Sequence, residues 1–485
     1  MGGRVVIALT VVLYLAFRLP WLHSIPGYTF DEGLLGLVAK NWVAFGDPLY
    51  GGNLDLLRFP LFSSLLAGAY ALLGHSLLVS RLLSVAAGLA ALFLLAAIAR
   101  RLLPRPAVIW ALLLYATDFV LVRYQRYGLA ESVQILLILA VVLVWIRPSA
   151  RRWLYGGLLL GAAVLLKPTS IHIIPALIWF DAGLMRHGWG PFGQEAQAAS
   201  ARDHAGGLER PSFRHMMAPY VLAVALCASV YGAMWLTWRE TFLDAWRIYA
   251  GLPSYRDLPR TIAILCVGSP FAALGIARLP WALRRSSDWG LRFLAVWIGG
   301  GFLVLLAQMA HPVRFYAALW PAAILCGADL LHAVTQAIGR RVGVRTGRPA
   351  PERTLRAAMG IAVAIFGALL FAGYYHVLGH RNPTGADVAD WMQANVPPDS
   401  VVIGAPHLGV DIAQPFLDMT SIHALAISDS VLHSHGIRYV VYDPEWRRIS
   451  EKLHLGVEDS LRARCRLRSR IGDAEIWEAL PAPGS

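Results

Sequence analysis

The chain has 485 residues, of which 57% are hydrophobic and only 15% are charged. Because a soluble protein of this length carries about 25% charged residues, this composition predicts a polytopic α-helical membrane protein. Basic residues exceed acidic ones by 13. The excess lies mostly in short loops between apolar runs, which indicates membrane topology and argues against a nucleic-acid partner. The four cysteines show neither metal-binding spacing nor a disulfide pattern.

Eleven apolar runs approach the roughly 20 residues that a membrane-spanning helix needs. They lie near residues 4–22, 81–99, 107–122, 131–146, 153–167, 170–185, 216–236, 260–279, 292–310, 314–334 and 356–376. No small-residue cleavage site follows the first run, so we expect a retained span and not a signal peptide.

The apolar stretch 60–74 is too short for an ordinary span, which favours an interfacial or re-entrant helix. If this stretch does not span and the N-terminus is cytoplasmic, every strongly basic short loop falls on the cytoplasmic side. If it did span, the arginine clusters would move outside. The sequence therefore predicts about eleven spans in the cytoplasmic membrane, with the N-terminus inside and the C-terminus outside.

Residues 381–485 differ in composition from the rest of the chain. They are polar, with strand-like runs at 401–403, 439–441 and 474–476 and a helical stretch at 386–395. This pattern predicts a small extracytoplasmic α/β domain, for which a lid or scaffold role is the simplest interpretation. Residues 1–380 form the predicted transmembrane module, whose long external loop, 23–80, carries an amphipathic surface helix.

On this topology, several ionisable residues converge on the outer face of the membrane. They are Asp31 and Glu32 after the first span, Arg126 and Glu131 between spans three and four, Lys167 at a helix end, and His311 and Arg314 at the start of span ten. Charges at the membrane edge are rare and are by default candidates for function.

Each of these residues also has a structural explanation. Asp31 could be the N-cap of the apolar helix that follows it, with Glu32 and Glu131 as ordinary first-turn carboxylates. The arginines could be interface anchors. Lys167 is harder to explain in this way, because it is the only lysine in any predicted span. As a set, carboxylates that deprotonate a hydroxyl and cations that stabilise a departing phosphate suit sugar transfer from a lipid phosphate.

The order of motifs along the chain resembles a known family. FDEGLLGLVAKNWVAFGDPLYGG, followed by RFPLFSSLLAGAYALLGHSLLVSRLLS, resembles the N-terminal signature of the GT-C membrane glycosyltransferases. The most similar branch is glycosyltransferase family 39, with the protein O-mannosyltransferases and the bacterial aminoarabinose transferases. RYGLAES, GLLLGAAVLLKPTS, HPVRFYAALWPAAILCGA and WMQANVPPDSVVI are similar to later motifs of this family and occur in the same order.

The resemblance implies a GT-C fold and an inverting transfer of a hexosyl or pentosyl group. The donor would be a polyprenyl-phosphate-linked sugar and the acceptor an extracytoplasmic protein, lipid or glycan. The implied catalytic residues are Asp31 as base, with Glu32 and Glu131 positioning the acceptor or a divalent metal ion. The implied substrate-binding residues are Lys167, Arg314, Arg58, Arg126, Tyr316 and His311. Glu131 stands where the aminoarabinose transferases have aspartate, which leaves the acceptor open.

Two other classes of membrane protein stay open at this point. A transporter or flippase of lipid-linked sugars predicts internal repeats with paired broken helices, and the sequence shows no such repeat. An O-antigen ligase or polymerase is expected to place key arginine and histidine residues in a large late external loop, whereas loop 237–259 is of moderate length.

Overall fold

A computed structural model of the chain is largely helical and separates into two compact units. Unit 1 comprises residues 1–20, 84–126 and 130–373, and unit 2 comprises residues 21–83, 127–129 and 374–485. The described residues are 3–23, 29–50, 59–147, 149, 151–187, 213–240, 243, 258–285, 288–307, 313–346, 352–379, 384–419 and 427–481.

Apolar helices make up unit 1, with α4 beginning and α16 ending in unit 2. They are α1 (Gly3–Arg18), α4 (Leu77–Leu102), α5 (Ala107–Thr117), α6 (Phe119–Gln125), α7 (Ala130–Trp145), α8 (Arg152–Leu166), α9 (Ile174–His187), α10 (Phe213–Thr237), α11 (Leu258–Gly268), α12 (Pro270–Arg285), α13 (Trp289–Leu306), α14 (Val313–Tyr316), α15 (Trp320–Thr346) and α16 (Glu352–Gly379). Short 3₁₀ turns, Pro168–Ile173 and Ala317–Leu319, precede α9 and α15.

Within the described residues, each predicted apolar run coincides with a helix or with a bent pair of helices. By length and composition, four of the described helical segments could each cross a membrane. The number rises to six if each bent pair of helices is counted as one span. The helices at the remaining predicted spans do not meet this test, so the number eleven stays a prediction.

Two of the predicted spans are bent at a single residue. The chain turns by 51° at Asp118 between α5 and α6, and by 107° at Ser269 between α11 and α12. Asp118 caps α6 by accepting a hydrogen bond from the main-chain nitrogen of Leu121 at 3.1 Å. Its other carboxylate oxygen accepts a hydrogen bond from the Ser269 hydroxyl. The two bends are therefore joined to each other, and the run 260–279 is not the straight span that its composition predicts.

Unit 2 contains helices and a mixed sheet, and most of the helix predicted to lie on the membrane surface is buried within it. The first two helices are α2 (Phe30–Phe45), which ends at Gly46 in the left-handed conformation, and α3 (Pro60–Leu73). The C-terminal part contains α17 (Thr384–Asn395), β1 (Val401–Gly404), α18 (Pro406–Gly409), β2 (Phe416–Asp418), α19 (Asp429–Ser434), β3 (Ile437–Tyr442), α20 (Pro444–Leu453), α21 (Val457–Arg464), β4 (Cys465–Ile471) and β5 (Ala474–Ala479).

The five strands lie in the order β2-β1-β3-β5-β4. Strand β1 pairs in parallel with β2 and β3, whereas β5 pairs antiparallel with β3 and β4. Two buried apolar clusters pack about this sheet, one around Trp446 and Val440 and the other around Met392 and Ile476. The tail therefore contains a small sheet, as expected, with the three expected strands as β1, β3 and β5.

The division into compact units differs from the predicted domain organisation in one respect. The change near residue 374 lies close to the predicted boundary at 380, but the loop 23–80 belongs to the same unit as the C-terminal sheet. This loop was expected to belong to the transmembrane module.

Candidate functional site

Asp31 and Glu32 lie in the first turn of α2, and neither of them caps it. The cap is Thr29, whose hydroxyl accepts a hydrogen bond from the main-chain nitrogen of Glu32 at 3.4 Å. The alternative in which Asp31 serves as N-cap is therefore excluded. Asp31 is half-buried and sits at the positive end of the helix, where a carboxylate is favourable.

Glu32 is the centre of a buried polar cluster in unit 2, here called the Glu32 cluster. Its two oxygens each accept a hydrogen bond of 2.8 Å from the Arg81 guanidinium, and Oε1 also accepts one of 2.7 Å from the Gly128 main-chain nitrogen. Glu32 and Arg81 are both 0% exposed. Removing one partner of such a pair leaves a buried charge, at a cost of about 3–5 kcal/mol. These contacts are those of a residue that supports the first turn of α2.

Gly128 is the residue of this cluster that sequence reasoning missed. A Cβ atom at this position would lie 2.4 Å from Cβ of Ser80 and 3.1 Å from Oε1 of Glu32. Only glycine therefore lets the main-chain nitrogen reach the carboxylate. Its place in the motif RYGLAES, three residues before Glu131, was the available signal.

A second buried cluster, in unit 1, contains three of the predicted residues: Glu131, Lys167 and Arg314. We call it the Glu131 cluster. Lys167 Nζ donates to Glu131 Oε1 at 2.6 Å, and Arg314 Nε lies 4.0 Å from the same oxygen. Glu131 and Lys167 are buried, whereas the Arg314 side chain is 23% exposed. Two cations therefore lie beside one carboxylate.

Local sequence explains how these residues come together. Glu131 lies in the first turn of α7, and Gln134 follows on the same face. The Gln134 amide donates to the hydroxyls of Thr169 and Ser170 at 2.9 and 3.0 Å. Because Pro168 follows Lys167 and disfavours continued helix, α8 ends in an extended residue there. These bonds hold the lysine turn against the start of α7.

The other predicted substrate-binding residues have different surroundings. Arg126 is fully buried, and its guanidinium donates to the carbonyl oxygens of Phe17, Arg18 and Pro20 at 3.2, 2.8 and 2.7 Å. These bonds hold the C-terminal end of α1, and the substrate-binding role of Arg126 stays a prediction. Tyr316 is buried with its ring 5.6 Å from that of Phe302. Arg58 and His311 lie outside the described residues.

A divalent metal ion held by the three predicted carboxylates does not fit these surroundings. The oxygens of Glu32 are engaged by Arg81 and Gly128, and Glu131 is paired with Lys167. Over the part of the chain that the structure describes, no group of three or more histidine, cysteine, aspartate or glutamate residues could hold a metal ion.

Comparison with known proteins identifies the fold. Residues 58–189 match the family model described as dolichyl-phosphate-mannose-protein mannosyltransferase. The fold is similar to that of ArnT from Cupriavidus metallidurans bound to undecaprenyl phosphate, with 13% identity, 99% of this chain and 98% of that chain covered, and a TM-score of 0.68. The chain has the fold of the GT-C glycosyltransferases. The resemblance drawn from the sequence motifs is thereby confirmed.

A second GT-C structure supports the same assignment. The oligosaccharyltransferase of Archaeoglobus fulgidus, tethered with an acceptor peptide, matches with 14% identity and a TM-score of 0.60, over 94% of this chain and 70% of that chain. No curated protein sequence matches the chain. At these identities the solved structures establish the fold, whereas substrate and reaction remain matters of proposal.

Proposed function

We propose that this protein is an inverting glycosyltransferase of the cytoplasmic membrane. It transfers a sugar from a polyprenyl-phosphate donor to a hydroxyl group of an extracytoplasmic protein, lipid or glycan. The observation that carries the proposal is the Glu131 cluster, in which a buried lysine and a partly exposed arginine are held beside one carboxylate at helix ends. That the similar ArnT structure contains undecaprenyl phosphate supports a lipid phosphate as the donor's leaving group.

In the proposed reaction, the Asp31 carboxylate accepts the proton of the acceptor hydroxyl. The acceptor oxygen forms a bond to the anomeric carbon from the face opposite the phosphate. The bond between that carbon and the phosphate oxygen breaks, and its electron pair leaves with the polyprenyl phosphate. Attack from the opposite face inverts the configuration. Lys167 and Arg314 stabilise the developing phosphate charge, as preorganised cations do in phosphate-releasing sites.

The two glutamates have supporting roles in this proposal. Glu131 holds the Lys167 ammonium in one position. Donor binding therefore does not have to order the lysine side chain. Glu32 connects the turn that carries Asp31 to Arg81 and to Gly128. Asp31 lies half-buried in the same turn and is the proposed base.

The proposal includes the membrane orientation predicted from the arginines, with the N-terminus inside, eleven spans, and the C-terminal α/β fold outside. Its support is the distribution of basic loops together with the agreement between predicted apolar runs and described helices. On that orientation, Asp31 and the Lys167 turn both belong to external segments.

The direct test is to incubate purified protein in detergent or vesicles with a polyprenyl-phosphate sugar and to measure release of polyprenyl phosphate. We expect release by the wild type and a loss of about 10²–10⁴-fold in Asp31→Asn, because an amide cannot accept the proton. Asp387→Asn is the matched control, since Asp387 is also a first-turn aspartate but is exposed on α17. Full transfer by Asp31→Asn would remove Asp31 as the base. Movement of the donor across vesicles without phosphate release would favour the flippase.

A further inference from the structure

Residues 406–414, here called the clamp segment, lie against the helix that carries Asp31. A Cβ atom on Gly33 would lie 2.2 Å from both Cα and N of His407, and one on Gly36 would lie 2.7 Å from a methyl group of Val410. The two glycines are three residues apart and therefore share a face of α2. Gly33 directly follows Glu32. The backbone of the clamp segment thus touches the turn that holds the proposed base.

A buried lysine fastens the same face of α2 to the clamp segment. Lys40, seven residues after Gly33, is 2% exposed. Its Nζ donates to the carbonyl oxygen of Gly409 at 2.7 Å, to that of Gln414 at 3.3 Å, and to that of Ile412. Burial of a lysine is costly unless its donors are satisfied. Here three main-chain carbonyls satisfy them.

The protonated form of Lys40 fits these contacts best. Burial is the main cause that lowers the pKa of Lys40 to about 7, and the nearby charge of Asp411 opposes the shift. The ammonium has three N–H donors for the three carbonyls, whereas the neutral amine keeps two and faces the third carbonyl with its lone pair.

Residues near the turn between α3 and α4 also form polar contacts with the clamp segment. The Leu77 main-chain nitrogen donates to Asp411 Oδ1 at 3.1 Å. His75 Nδ1 lies 3.0 Å from the Val410 carbonyl oxygen, to which it donates in the matching tautomer. The segment thus makes polar contacts with two separate parts of the loop 23–80.

At its other side, the clamp segment is bound to the C-terminal sheet. His407 Nε2 lies 3.1 Å from Asp443 Oδ2. Asp443 follows β3, and its Oδ1 accepts a hydrogen bond of 3.0 Å from the Trp446 nitrogen as the N-cap of α20. Gln414 donates to two carbonyl oxygens at the end of α17, at 3.1 and 3.0 Å. A continuous series of contacts therefore runs from the sheet through His407 to Gly33.

We propose that the clamp segment positions Asp31 for catalysis, so that the C-terminal α/β fold is part of the transfer machinery and not a separate scaffold. Gly33, Lys40 and His407 are its positioning residues, and none of them is required to touch the substrate. The catalytic half of this inference rests on the proposed function. The physical reason is that misplacement of a reacting group by about 1 Å can cost about 100-fold in rate.

The test compares two pairs of variants in the full-length protein. Gly33→Ala introduces a Cβ atom against the His407 backbone, and Lys40→Met removes the donors to the three carbonyls. Gly68→Ala, on α3 with open space around its Cβ position, controls for the added methyl group. Lys452→Met, on the exposed side of α20, controls for the lost lysine. Gly36→Ala meets the Val410 side chain instead of backbone and is the milder variant if Gly33→Ala does not fold.

Two readouts separate positioning from general stability. In hydrogen exchange, amides of residues 31–36 should exchange at least 10-fold faster in Gly33→Ala and Lys40→Met, with no change in the controls. In transfer assays, kcat should fall by about 100-fold, while the affinity for polyprenyl phosphate is unchanged. Unchanged exchange and kcat in both variants would overturn the inference. Equal loss of kcat and polyprenyl phosphate affinity would overturn it in favour of a purely structural role.

The exchange experiment does not depend on the proposed function. If the wild type releases no polyprenyl phosphate, the proposed function fails, and faster exchange of residues 31–36 still establishes the clamp. If the wild type is active and neither variant changes exchange or kcat, the clamp fails while the proposed function stands.

Discussion

At the scale of single residues, the structure distinguishes carboxylates that the sequence presents as a set. Asp31 and Glu32 are adjacent in the chain, yet only Glu32 is fully buried and bound to Arg81. Glu131 in turn is bound to Lys167. In the proposed function, the two glutamates held by buried cations support the site, and Asp31 is the base.

The role of Lys167 can be tested without leaving a buried charge unpaired. Lys167→Met alone would leave the buried Glu131 carboxylate with only the Arg314 guanidinium, 4.0 Å away, so the informative variant is the double substitution Glu131→Gln with Lys167→Met. We expect the double variant to fold and to bind polyprenyl phosphate about 10- to 100-fold more weakly. This factor corresponds to the free energy of one hydrogen bond to a charged group. Binding can be followed by tryptophan fluorescence or calorimetry.

The matched control for this prediction is Lys452→Met, since Lys452 is exposed in the C-terminal fold. An affinity for polyprenyl phosphate equal to that of the wild type in the double variant would contradict the phosphate role of Lys167. Arg314→Met provides a second check, because Arg314 is partly exposed and lies 4.0 Å from Glu131.

At the scale of helices, small residues and buried polar bonds set the packing of unit 1. Gly157 and Gly161, four residues apart on α8, face α10. A Cβ atom on Gly157 would lie 2.7 Å from the Pro219 carbonyl oxygen. One on Gly161 would lie 2.9 Å from the Leu226 side chain. This is the small-residue pattern by which membrane helices approach closely.

Gly157→Ala should therefore destabilise the protein. We expect a loss of about 1–3 kcal/mol, the usual cost of overpacking, because the new methyl group meets backbone that must shift. Thermal unfolding in detergent, followed by circular dichroism, measures this loss. Gly232→Ala on α10 is the control, since its Cβ position is open, and it should be neutral or stabilising by up to about 1 kcal/mol. Equal effects of the two substitutions would contradict the packing argument.

At the scale of the whole molecule, the arginine distribution predicts a single orientation in the membrane. With the four native cysteines changed to serine, single cysteines report which side each segment faces. We expect Arg462→Cys, on the exposed side of α21, to react with a membrane-impermeant maleimide in intact cells. Arg105→Cys, in the basic loop before α5, should react only after permeabilisation. The reverse pattern would invert the proposed topology.

Much of the fold could be predicted from sequence because its signals are local. Apolar runs of membrane-spanning length predicted the helices of unit 1, and strand-like runs predicted β1, β3 and β5. The bends at Asp118 and Ser269 could not be predicted from hydropathy, because they depend on a hydrogen bond between residues 151 positions apart. The loop 23–80 was assigned to the membrane module because no local pattern reports its contacts with the C-terminal fold.

The sequence by itself determined the protein class, the helical segments, the family resemblance and the charged residues of interest, since composition, periodicity and motif order are properties of the chain alone. Only the tertiary structure decided what those residues contact. Glu32 meets Arg81 across 49 residues, and Lys40 meets the Gly409 carbonyl across 369. Pairings over such separations depend on packing of the whole chain, and they show which carboxylates are held by a buried cation.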